Sequence, residues 1–184
     1  NEREACQQLA DEIWTANHIS SGNTWTDSTG ISPDLIVKEV PELEFVHRKV
    51  GADDLYFIHN VEKVAKTLHC SFRTEGRIPE LWYADSGKME KMAQFNQKDG
   101  RTEIAINLQP AGSVFVVFRE PASRIDPVVT MTPKNGRVML DSKNNMQLVA
   151  DAAGSYEIKL ASGKTANVQV TDVKKPIPVN KGWR

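Results

Sequence analysis

The chain has 184 residues, 40% hydrophobic and 26% charged, with 23 basic side chains against 24 acidic ones. That composition supports one globular domain, or one and a half, with a real core. A net charge of −1 excludes the basic field that tracks a phosphate backbone, so nucleic acid is not an expected partner, and no apolar run nears the ~20 residues that a membrane helix needs.

The first residues, NEREACQQLADEIW, lack the charged-then-apolar pattern of an export signal and enter a helix pattern directly, as a fragment would. Over 3–15, Cys6, Leu9, Ala10, Ile13 and Trp14 fall at helical spacings opposite a polar face, which predicts one amphipathic helix. Residues 17–33 are rich in Ser, Thr, Asn and Gly without period and predict an exposed loop. Strands follow. DLYFIHNV (54–61) and TLHCSFR (67–73) alternate as half-buried antiparallel strands, and 79–84 and 88–95 form a hairpin around Asp85-Ser86-Gly87. TEIAINL (102–108) presents Ile104, Ile106 and Leu108 on one side, and SVFVVFR (113–119), apolar on both faces, should lie centrally and be covered on each side. Beyond 127, five short strands alternate with strong turn signals, Asn135-Gly136 among them. One helix followed by many short strands predicts a mainly β protein: an antiparallel β-sandwich of jelly-roll, galactose-binding-domain-like type with one N-terminal helix. The expected division is helix and loop over 1–35, sandwich over 36–175, and a linker over 176–184 that stops at KGWR on the threshold of a next domain.

No convincing catalytic set is present. Glycoside hydrolysis needs two carboxylates facing each other across a sugar, and Glu80 and Asp85 bracket Trp82 and Tyr83 closely enough to invite that reading. Yet Glu80 shares a strand face with Trp82, while Asp85 opens a turn where Asp is favoured for its own backbone bonds. Alternation places Trp82 and Tyr83 on opposite faces, one toward the core and the other toward solvent, a sugar or a neighbouring domain. His47-Arg48 before Asp53-Asp54 suggests that Arg48 holds a carboxylate and fixes a loop ahead of the next strand. His18, His47, His59 and His69 have no zinc spacing, so no metal is expected. His59 and His69 fall in neighbouring predicted strands that could face each other. Cys6 and Cys70 read as buried thiols. No phosphate loop or nucleophile motif occurs, and no cofactor is implied.

Several stretches together resemble a known family. FVHRKVGADDLYFIHNV (45–61), CSFRTEGRIPELWYADSGK (70–88), DGRTEIAINLQPAGSVFVVFRE (99–120) and the terminal Gly-Trp are similar to the β-rich region downstream of the catalytic barrel in large bacterial α-L-rhamnosidases of glycoside hydrolase family 106, and to related Bacteroides-type glycosidases. His47, Arg48, Asp54, Tyr56, Phe57 and Asn60 fit that pattern in order, and SPDL (32–35) resembles its upstream Pro-Asp. Residues 17–31 are more polar than the pattern, and 121–175 have no counterpart in it. The resemblance implies a non-catalytic accessory segment, periplasmic or secreted, that braces an upstream catalytic domain of the same polypeptide during polysaccharide degradation and has no activity alone. The family's catalytic carboxylates belong upstream, so no residue here inherits their role. Trp82, Tyr83, Glu80, His47, Arg48 and Asn60 are then the candidates for contact with an oligo- or polysaccharide. The competing expectations are a free-standing carbohydrate-binding module with an exposed aromatic platform, and a structural module that engages other proteins.

Overall fold

The computed structural model describes residues 32–38 and 43–174; the helix expected over 3–15 and the linker expected over 176–184 lie outside the described residues. Fourteen strands are present and no helix is found among the described residues. In chain order they are β1 (Leu35–Val37), β2 (Leu43–Val50), β3 (Asp53–Asn60), β4 (Lys66–Phe72), β5 (Arg77–Tyr83), β6 (Lys88–Met92), β7 (Asn96–Lys98), β8 (Arg101–Leu108), β9 (Ser113–Pro121), β10 (Val128–Thr132), β11 (Gly136–Leu140), β12 (Met146–Ala150), β13 (Gly154–Leu160) and β14 (Thr165–Val170).

Every pairing is antiparallel, in three sheets ordered β1-β4-β8-β7, β12-β11-β6-β5-β9-β3-β2 and β10-β13-β14. The four-stranded and seven-stranded sheets face each other. Phe72, on the four-stranded sheet, lies 4.8 Å from the Tyr56 ring and 5.3 Å from the Phe118 ring, both on the seven-stranded sheet. Around these rings Leu68, Cys70, Ile104 and Ile106 meet Ile58, Val114 and Val116 in one buried cluster. β3 shows why such sequences make half-buried strands: Asp54, Tyr56, Ile58 and Asn60 are buried, and each residue between them is only partly so.

The structure departs from the sequence expectations in two places. The loop expected ahead of the 54–61 strand is only a tight turn: residues 43–50 form a full strand, paired with β3 from Leu43–Asn60 to Val50–Asp53 across a turn where Gly51 takes φ +63°. The single strand expected over 88–95 is two: β6 belongs to the seven-stranded sheet and β7 to the four-stranded one, with Ala93 and Phe95 buried at the crossing.

Asn60 is buried beneath two turns. Its Nδ2 donates to the carbonyls of Val64 and Gln109, both at 2.9 Å, and its Oδ1 accepts from the Glu62 N–H at 3.2 Å. It thereby ties the turn after β3 to the turn between β8 and β9.

Phe118 is fully buried where the two large sheets meet. Phe118→Ala should cost about 3–5 kcal/mol of unfolding free energy, whereas Val46→Ala, at a position that is 52% exposed, should stay within about 0.5 kcal/mol. Urea midpoints of the two variants check this, and equal losses would place the core elsewhere.

Candidate functional site

Two groups of side chains bring together the residues singled out in the sequence. The first surrounds His47, which alternation on β2 turns inward. Its Nδ1 lies 3.0 Å from Asp34 Oδ2 and its Nε2 2.9 Å from Asp54 Oδ1. Its ring stacks parallel on Tyr56 with centroids 4.1 Å apart. A carboxylate at each nitrogen favours the doubly protonated imidazolium, a form with no lone pair for a metal. Burial opposes that charge, but the hydrogen bonds to Asp34 and Asp54 outweigh it and raise the His47 pKa above 6.5. The hydrogen bond from His47 lowers the Asp34 pKa below 3.8 against the burial penalty, with Arg73 adding to the effect. Arg73 also bonds Asp34, and Lys49 stands 3.8 Å from Asp54. The imidazole occupies the space between the two carboxylates, so they cannot flank a sugar.

The clamp joins the lead into β1, on one sheet, to β2 and β3 on the other. Arg101 reinforces that lead by donating to the Pro33 carbonyl at 2.9 Å and the Ser71 carbonyl at 2.6 Å. Beneath the clamp, burial pushes the Tyr56 hydroxyl up to about 12. The Thr74 side chain beside it works against that rise. Arg48, expected to hold the carboxylate, points to the opposite face of β2 and is exposed; its neighbour His47 does so instead.

The second group lies on the outer face of the seven-stranded sheet. Glu80 sits there yet is only 1% exposed. The Trp82 indole Nε1 donates to Glu80 Oε2 at 2.9 Å and Arg119 Nε donates to Oε1 at 2.9 Å. The Arg119 guanidinium also lies 5.1 Å from the centre of the Trp82 ring. Tyr83 points the other way and packs against the core cluster. Asp85 is exposed in the turn over 84–87, and Gly87 closes it with φ +67° and an N–H donated to the Tyr83 carbonyl at 2.9 Å.

His59 and His69 do not face each other: β3 and β4 lie in opposing sheets, and each histidine alternates with the core-facing residues of its strand; His59 Nδ1 lies 3.4 Å from Glu44. Cys70 is buried in the core, and Cys6 lies outside the described residues. A cleft of about 310 Å³ lined by Lys38, His69, Glu103, Asn96, Phe95 and Val129 had no motif to announce it in the sequence. It brings together residues from five separate segments.

The α-L-rhamnosidase model of glycoside hydrolase family 106 matches residues 2–97, just over half of the chain. The chain belongs to this family. The match reaches back through the polar stretch 17–31, where the sequence pattern departed. A protein of Formosa agariphila named "Putative beta-glucuronidase" is 28% identical over 149 residues, which is 80% of this chain and 12% of that protein. The solved rhamnosidase of Novosphingobium sp. PP1Y is 25% identical and superposes with a TM-score of 0.52 over 78% of this chain and 13% of its own. This family member thus spans about one eighth of the length of the relatives it matches.

The His47 clamp makes stability depend on pH. His47 has a raised folded-state pKa, so its contribution is complete below 6.5 and is lost as pH rises through the higher folded value. Asp34 has a lowered one, so its contribution is complete above 3.8 and is lost as pH falls through the lower folded value. Urea midpoints measured from about pH 5 to about pH 9 should decline for the wild type. His47→Gln should be less stable at the acid end and show a flatter profile, and parallel profiles would remove the clamp's role.

Proposed function

We propose that this chain is a non-catalytic accessory segment of a rhamnosidase-like bacterial glycoside hydrolase, a sandwich of the jelly-roll, galactose-binding-domain-like kind. It braces an upstream catalytic domain of the same polypeptide, acts in the periplasm or outside the cell, and serves the breakdown of plant or host polysaccharide. One observation carries the reading: the carboxylates nearest to a catalytic arrangement are engaged within the domain. Glu80 is held by Trp82 and Arg119, and Asp34 and Asp54 are held by His47. A glycosidase acid or nucleophile must reach the scissile bond, and these groups hold the protein together instead. Membership of the family and a span of 12–13% of the two relatives support assigning the chemistry to another part of the polypeptide.

The carbohydrate-binding alternative depends on Trp82, since Tyr83 packs against the core. A sugar platform needs a bare ring face and, commonly, a free indole N–H. Trp82 has given its N–H to Glu80, and Arg119 lies over its ring.

Incubated with aryl α-L-rhamnosides, the chain should release no more aglycone than a heat-denatured sample, and turnover above that control would overturn the proposal. Calorimetric titration with rhamnose-rich pectic polysaccharide should give no saturable heat. Saturable binding abolished by Trp82→Ala would replace the bracing role with the binding module.

A further inference from the structure

One row of side chains on the outer face of the seven-stranded sheet is apolar across five consecutive strands. Register pairs Val46 with Phe57, Phe57 with Phe115, Phe115 with Trp82, and Trp82 with Met89, in one row from β2 to β6. At about 4.8 Å between strands, the row runs roughly 19 Å. Leu55 and Val117 lie on the same face one step along. The Phe57 and Phe115 rings touch, with centroids 5.0 Å apart. The ends of the row are open: Val46 is 52% exposed and Met89 63%. At the border, Lys91 is anchored by Glu120 at 2.7 Å and Asn144 at 3.2 Å.

A solvated antiparallel sheet alternates apolar-in with polar-out, whereas strands apolar on both faces belong where both faces are covered. The four-stranded sheet covers the inner face of β3 and β9. On the outer face the row continues to exposed side chains at both ends.

We infer that this row is a docking face for another domain of the same glycosidase polypeptide, with Trp82 as its anchor; the inference rests on the accessory reading above. Three observations select this occupant. The row combines Trp, Phe and Met with a flanking Arg, the residue types enriched where protein surfaces meet. At its centre the Trp82 N–H and Arg119 Nε both end on Glu80. An apolar protein surface can therefore cover the Trp82 indole without stranding its N–H, while a sugar finds that N–H and the Glu80 carboxylate already engaged. Lastly, this chain accounts for 12% and 13% of its two relatives, so polypeptide of the size needed to cover the sheet belongs to proteins of this kind.

The test compares Val46→Asp combined with Met89→Asp in two settings. Both positions are exposed at the ends of the row, so the 184-residue chain alone should keep its melting temperature within about 1 °C. In the full glycosidase polypeptide the same pair should lower the melting of this region by about 4 °C or more and raise the rate of tryptic cleavage in the 84–91 hairpin about tenfold. Val149→Asp, 40% exposed on β12 outside the row, should leave both readouts unchanged. Equal effects of the double variant in both settings, or no effect in the full polypeptide, would overturn the docking face while leaving the accessory reading intact. Self-association of the wild-type chain that the double variant abolishes, without any effect in the full polypeptide, would assign the face to a second copy and overturn the proposal too. Rhamnoside turnover by the chain alone would defeat the accessory reading without altering these melting shifts.

Discussion

β9 pairs with β3 on one side and β5 on the other, and the run Val114–Phe118 at its centre is apolar without a break. That dual apolarity constrains everything around it. Val114, Val116 and Phe118 commit one face to the core shared with the four-stranded sheet, and Phe115 and Val117 make the other face one that water cannot satisfy. Phe57 and Trp82 are drawn beside Phe115 by register alone, because in an antiparallel ladder the pairing fixes which side chains share a face. The inner face produces a stable sandwich and the outer face an unfinished one.

The polar residues serve this frame. Hydrophobic burial is nondirectional and would tolerate sliding between the sheets, so directional bonds must set how they sit. Asp34, His47 and Asp54 supply such bonds between the lead into β1 and the β2–β3 hairpin. Asn60 supplies them between two turns at the end of β3. Glu80 performs the same service on the outer face, where it fixes the Trp82 rotamer through the indole nitrogen and keeps Arg119 over the ring. In each place, side chains that suggest sugar chemistry in a sequence are occupied in ordering the domain.

Much of this was legible beforehand, for reasons that can be located. The alternation in 54–61 and 67–73 and the double apolarity of 113–119 are local signals, and those strands formed with boundaries displaced by a residue or two at most. The opposite facing of Trp82 and Tyr83 follows from the pleat. β2 was hidden because an edge strand exposed along much of its length carries Glu44, His47, Arg48 and Lys49 among its apolar residues. The choice of Arg48 over His47 followed from side-chain chemistry alone. Once Gly51 closes the hairpin, Lys49 pairs with Asp54 and His47 with Tyr56, so of His47 and Arg48 it is His47 that shares the inner face with Asp54. Asp34 could not be foreseen as its second partner, since that contact joins different sheets. The break within 88–95 has no Gly or Pro to mark it and exists only because the chain changes sheets there.

That change of sheet has a consequence for how the domain comes apart. β6 is laced into one layer and β7 into the other, and the residues between them bury Ala93 completely and Phe95 almost so. Neither layer can peel away while the other stays whole, because the departing one would drag this linker out of the interior. Partial opening is therefore disfavoured between the intact and fully unfolded states, and amides on the two layers should share one exchange barrier instead of two. A segment with that property transmits a pull at one end to its whole body, which suits a brace better than a hinge.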